Sequence, residues 1–141
     1  PPHPMSARFG DSAQLVGYDL RGGMDAHPGQ SLTLILYWQA LDTFDRPYTV
    51  FAHLVDADGH IFGQRDQTPG NGDLPTSSWI PDEYLTDAYA IPVKSDTPPG
   101  DYWIEVGFYD PIDGARLPVT DANGRSLEDR LLLEDTPIRV E

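Results

Sequence analysis

From Ser31 to Ala40 the side chains alternate without a break. Leu32, Leu34, Leu36 and Trp38 take the even places, and Thr33, Ile35, Tyr37 and Gln39 the odd ones. Successive residues of a strand point to opposite faces, so this period predicts a strand with Trp38 in the core and Tyr37 outside. Gly100–Tyr109 reads the same way: Tyr102, Ile104, Val106 and Phe108 face inward, and Trp103, Glu105, Gly107 and Tyr109 face outward. Residues 48–56 are apolar on both faces, Val50 and Leu54 against Phe51 and Val55, which predicts a central strand. Asp58-Gly59 then suits a type I′ turn, whose central residues both need positive φ, and 61–66 return as the hairpin partner. Further strands are expected at 15–20, at 85–93 (Leu85, Tyr89, Ile91 and Val93 on one face), at 117–119 and at 137–141, with Ile138 and Val140 inward. Pro92 marks the end of a strand or an edge position.

Between these segments, 67–82 reads as a long polar loop carrying Pro75-Thr76-Ser77-Ser78-Trp79. No stretch has helical periodicity. The best helical candidate, 120–135, contains Asn123-Gly124 and lacks an apolar stripe. Fourteen prolines and 13 glycines punctuate the chain roughly every ten residues, the spacing of sandwiches and barrels. The pattern therefore predicts an all-β fold, an antiparallel β-sandwich of seven or eight strands, immunoglobulin-like or jelly-roll. Period-2 patterns do not encode strand order, so the topology stays open. Residues 1–8, opening Pro-Pro-His-Pro, read as a linker tail, and 9–141 as one domain.

Composition narrows the partners. The 141 residues are enough to bury a sizeable core. Nine basic against 23 acidic residues leave a formal charge of −14, a field that repels nucleic-acid phosphates and anionic lipid. There are no cysteines, which removes disulfides, thiolate nucleophiles and Cys-based zinc sites. No apolar run approaches the roughly 18 residues of a membrane helix, so direct membrane insertion is not expected.

A set of landmarks in fixed order carries a family resemblance. They are Leu15-Val16-Gly17-Tyr18-Asp19-Leu20, Pro28-Gly29-Gln30-Ser31-Leu32-Thr33-Leu34 into Leu36-Tyr37-Trp38-Gln39-Ala40, and Tyr48-Thr49-Val50-Phe51-Ala52-His53-Leu54 with Asp56-Ala57-Asp58-Gly59. Pro75-Thr76-Ser77-Ser78-Trp79, Pro98-Pro99-Gly100-Asp101-Tyr102, Val106-Gly107-Phe108-Tyr109-Asp110-Pro111 and Arg116-Leu117-Pro118-Val119 follow. With these the chain resembles the C-terminal soluble β module of bacterial multi-pass membrane glycosyltransferases of the dolichyl-phosphate-mannose mannosyltransferase type. The resemblance implies an extracytoplasmic accessory domain beside a membrane enzyme. The transferase's catalytic residues would lie in the membrane part, so no catalytic residue carries over.

Four chemistries are weighed against plain structure. Carbohydrate binding needs exposed aromatic faces beside hydroxyl-bonding groups, and Trp103, Tyr109, Tyr37 and Trp79 are the expected platform; the plain alternative is that these rings pack the sandwich. Calcium needs six to eight oxygens, and Asp56 with Asp58, or Asp110 with Asp113, are the candidate ligands; the plain alternative is turn chemistry. His53, mid-strand, reads as a hydrogen-bonded polar residue rather than a zinc ligand. Catalysis has no nucleophile elbow and no cysteine to rest on, so a non-enzymatic domain is expected. Two functions lead, a glycan-binding accessory domain and a structural or protein-interaction module without a small ligand; a third, a hydrolase, would need a cleft with two converging carboxylates.

Overall fold

The computed structural model describes residues 2–141. Ten strands follow one another: β1 (His3–Phe9), β2 (Ala13–Arg21), β3 (Ser31–Ala40), β4 (Thr49–Val55), β5 (Ile61–Gln67), β6 (Tyr84–Pro92), β7 (Gly100–Tyr109), β8 (Val119–Asp121), β9 (Leu131–Leu132) and β10 (Ile138–Val140). Short 3-10 turns at Pro69–Gly72 and Thr76–Ser78 are the only helical segments among the described residues. The strands form two antiparallel sheets. One has the order β6-β3-β2-β1-β8; the other runs β10-β7-β4-β5, with β9 also pairing β7. This is the expected sandwich, with more strands than the seven or eight foreseen.

The core lies between the sheets and is built by the alternation. Leu32, Leu34, Leu36 and Trp38 of β3 face Ile104, Val106 and Phe108 of β7, and all are buried. Large aromatics close one end: the Trp38 and Phe108 rings lie 4.9 Å apart, Phe9 and Trp38 5.2 Å, and Phe44 and Trp79 5.4 Å. Strand β4 sits inside its sheet between β7 and β5, as its two apolar faces predict, and Pro92 ends the edge strand β6.

Three expectations change. Residues 3–8, read as a linker tail, belong to β1, which pairs β2 on one side and β8 on the other; residue 1 lies outside the described residues. The return expected at 117–119 is divided: Arg116 bridges Tyr109 and the Leu117 N–H reaches the Phe108 carbonyl of β7, while Val119 opens β8, which pairs β1. The β4–β5 turn is not type I′. Only Gly59 has positive φ there (+84°), and the register shifts between Leu54 and Val55, which matches a type I turn closed by a glycine bulge.

Candidate functional site

The outer face of the β10-β7-β4-β5 sheet carries the expected residues Trp103 and Tyr109, but the chain roofs its centre. The Arg116 guanidinium stacks 4.3 Å from the centre of the Phe51 ring. Arg130 Nε lies 3.2 Å from Glu105, and the Asp129 carbonyl comes so close to Gly107 that an added Cβ would sit 3.1 Å from it and 2.4 Å from the Phe51 ring. Under this roof His53 is 6 % exposed. Its Nδ1 is 3.2 Å from Glu105 Oε1, and its Nε2 is 3.4 Å from Asp66 Oδ1. Tyr109 donates its hydroxyl hydrogen to Asp66 Oδ2 over 3.1 Å. His53 is thus a polar residue held between carboxylates, as its position mid-strand suggested. Trp103 and Tyr109 sit half-buried six residues apart on β7, about 20 Å at the usual rise of a strand.

The other two expected platform residues lie elsewhere. Trp79 is 2 % exposed, packs among Trp38, Phe44 and Phe108, and donates its indole N–H to the Leu74 carbonyl over 3.0 Å. It plugs the sandwich end and offers no face to a ligand. Tyr37 is on β3, so it points out of the opposite sheet from Trp103 and Tyr109. The four aromatic residues therefore do not make one platform.

The outer face of the β6-β3-β2-β1-β8 sheet is open. Its register places Tyr84 opposite Gln39, Gln39 opposite Gln14, Gln14 opposite Arg8, and Arg8 opposite Thr120. Because paired residues share a face, one side chain from each strand lines up in a single row across the sheet. Tyr84 is 69 % exposed at the β6 edge. Tyr37 pairs with Thr86 and is the diagonal neighbour of Tyr84, so two phenol rings stand at that end. Gln14 donates its side-chain amide to Ser6 Oγ over 2.7 Å, which leaves its carbonyl oxygen as an acceptor. At the far end, a groove of about 440 Å³ is lined by Ser6, Arg8, Asp11, Gln14, Thr120 and Asp121, among others. Tyr37 and Gln39 are placed outward by the alternation alone. Tyr84, Gln14, Arg8 and Thr120 join them only through strand order and register, which leave no mark in the sequence.

The acidic turns are occupied by their own backbone. Partial burial raises the Asp56 carboxyl, but hydrogen bonds from the His60 and Asp58 backbone and the His60 ring outweigh it, and its pKa lies below the ordinary carboxylate value. Asp56, Asp58 and His60 can bring one ligand atom each within 4.8 Å of one another. One ring nitrogen, the Asp56 carboxylate engaged by its own turn and the exposed Asp58 carboxylate do not match the oxygen shell calcium needs. Asp110 accepts the Ile112 N–H and a 2.8 Å contact from Arg46, both of which hold its pKa low. Asp113 accepts the Ala115 N–H over 2.9 Å. The Asp56 turn follows β4 and Asp110 follows β7; these strands run antiparallel, so the two pairs sit at opposite ends of the sandwich.

No family model matches the chain, and no curated protein matches it. Among solved structures it is similar to the C-terminal domain of wzt, with a TM-score of 0.64 and 12 % identity over 99 % of this chain and 83 % of that one. Two further structures align less well. A Niemann-Pick type C2 protein from Japanese carpenter ant gives 0.49 at 10 % identity, covering 95 % of this chain and 99 % of that one. The CARDB domain of the PF1109 protein from Pyrococcus furiosus, in complex with di-metal ions, gives 0.44 at 9 %, covering 95 % and 93 %. At such identities the likeness to the wzt domain is one of fold: this chain is an antiparallel β-sandwich of that kind.

Proposed function

We propose that this chain is a non-catalytic accessory domain that binds glycan outside the cytoplasm, next to the membrane part of a glycosyltransferase-like protein. One observation carries the glycan reading: an open sheet face presents two phenol rings beside uncharged amide and hydroxyl groups, with no roof over it among the described residues. Sugars offer a C–H face that stacks on such rings and hydroxyls that both donate and accept hydrogen bonds. The placement outside the cytoplasm and beside a membrane enzyme rests on the resemblance of the quoted landmarks. A glycan array probed with the 141-residue chain, with and without EDTA, tests the reading. Retention that survives EDTA is expected, because the phenol, amide and hydroxyl groups of the open face need no metal to meet a sugar. An array on which no glycan is retained would overturn it.

A second reading, a protein-interaction module without a small ligand, is favoured by Ile80 (64 % exposed) and Ile112 (91 % exposed). Both lie in loops at one end of the sandwich, tied there by Asp82 N–H to the Ala40 carbonyl and by Arg46 to Asp110. An empty array together with capture of a partner lost on Ile112→Asp would favour that module.

A further inference from the structure

We infer that the ligand is a linear, uncharged polysaccharide that lies across the strands of the β6-β3-β2-β1-β8 sheet, along the row Tyr84, Gln39, Gln14, Arg8 and Thr120. This rests on the glycan reading above and gives it a direction, a length and a class of substrate. The row crosses all five strands, one residue from each. Strands stand about 4.8 Å apart, so its end members are roughly 19 Å apart, which suits an extended chain rather than a single sugar. The chemistry changes along it in a useful order. A phenol face for stacking is followed by two amides, each with donor and acceptor, then a guanidinium with donors only, then a hydroxyl.

The side chains of Gln39 and Arg8 have no hydrogen-bond or ion-pair partner among the described residues, although carboxylates outnumber cations across the chain. Their polar groups stay available to a ligand. Arg8 does not make the row an anion site, because Asp11 and Asp121 line the same groove and the whole chain carries −14. A polyanionic glycan would meet that field at every unit, whereas an uncharged one meets donors and acceptors only.

Titration calorimetry on the 141-residue chain tests this with cello-, malto- and manno-oligosaccharides of increasing length, and with polygalacturonate as the anionic comparison. Affinity for the favoured series is expected to rise with length until the oligosaccharide spans the row, roughly 19 Å, and then to level off. Tyr84→Ala and Gln39→Ala should each weaken binding about five- to tenfold, with unchanged melting temperatures because both side chains lie on the outer face. Trp103→Ala, on the other sheet, should leave binding unchanged. Length-independent affinity, tighter binding of polygalacturonate, or loss on Trp103→Ala with none on Tyr84→Ala would overturn the inference while leaving glycan binding standing. If no saccharide binds, the glycan reading itself fails and the inference falls with it.

Discussion

Asp87 occupies an inward slot of β6, between Leu85 and Tyr89 in the alternating series, and is 1 % exposed. It accepts hydrogen bonds from the Tyr89 hydroxyl and, over 2.8 Å, from the Gly70 N–H, which pins the Pro69–Gly72 turn to the sheet. The Trp38 indole N–H lies close enough to influence it, yet has no partner in hydrogen-bonding geometry. Burial pushes the Asp87 carboxyl above the ordinary carboxylate value, against the pull of those hydrogen bonds. A raised folded pKa means that the native state holds the proton more tightly than the unfolded chain. The resulting stability is complete below about pH 4 and is lost as pH rises through the folded pKa. Asp87→Asn should remove that loss. Melting temperatures measured from pH 4 to 8 should show the native chain declining relative to the variant, and parallel curves would contradict the assignment. Asp110 acts in the opposite sense: its pKa is depressed, so its contribution disappears as pH falls through the folded value. The comparison with Asp87→Asn cancels it. The alternation around Leu85, Tyr89 and Ile91 is plain in the sequence. That Asp87 shares their face follows from the period, but the glycine N–H it caps comes from a loop no pattern places.

At the scale of elements, β1 shows where pattern reading fails. Pro2, Pro4 and a burial pattern in which only Ala7 and Phe9 are fully inward hide a strand behind the look of a linker. Proline supplies no N–H, and the pairing with β2 shifts register between Pro4 and Ala7 to absorb it. The strand is nonetheless interior to its sheet, so removing it exposes the edges of both β2 and β8. Deleting residues 1–8 should cost more than about 4 kcal/mol in a urea titration, a loss of the size reserved for broken networks and cores. A deletion that leaves the urea midpoint in place would return these residues to the role of a tail. Strands β3 and β7 were legible to the residue because each buries one clean face. The two-residue β9 and three-residue β8 carry too few positions for any period to register.

At the scale of the molecule, the two outer faces are not equivalent. The segment holding Arg116, Asp129 and Arg130 covers the face where Trp103 and Tyr109 stand, while the face of Tyr37 and Tyr84 is left open. The sequence showed which side chains point outward. It did not show which sheet each strand joins or what the chain lays over it, because both depend on contacts between residues far apart. Trp79 was misplaced for the same reason: it stands in a loop rich in Ser, Asp and Glu, and its neighbours in space are Trp38, Phe44 and Phe108. The central claim is that glycan meets the open face. The most direct measurement is amide chemical-shift mapping of the chain by NMR during titration with the strongest array saccharide. The account requires perturbations at Gln14, Tyr37, Gln39, Tyr84 and Thr86, with Trp103, Glu105 and Tyr109 unmoved. Perturbations gathered on Trp103 and Tyr109, with β3 and β6 silent, would contradict it.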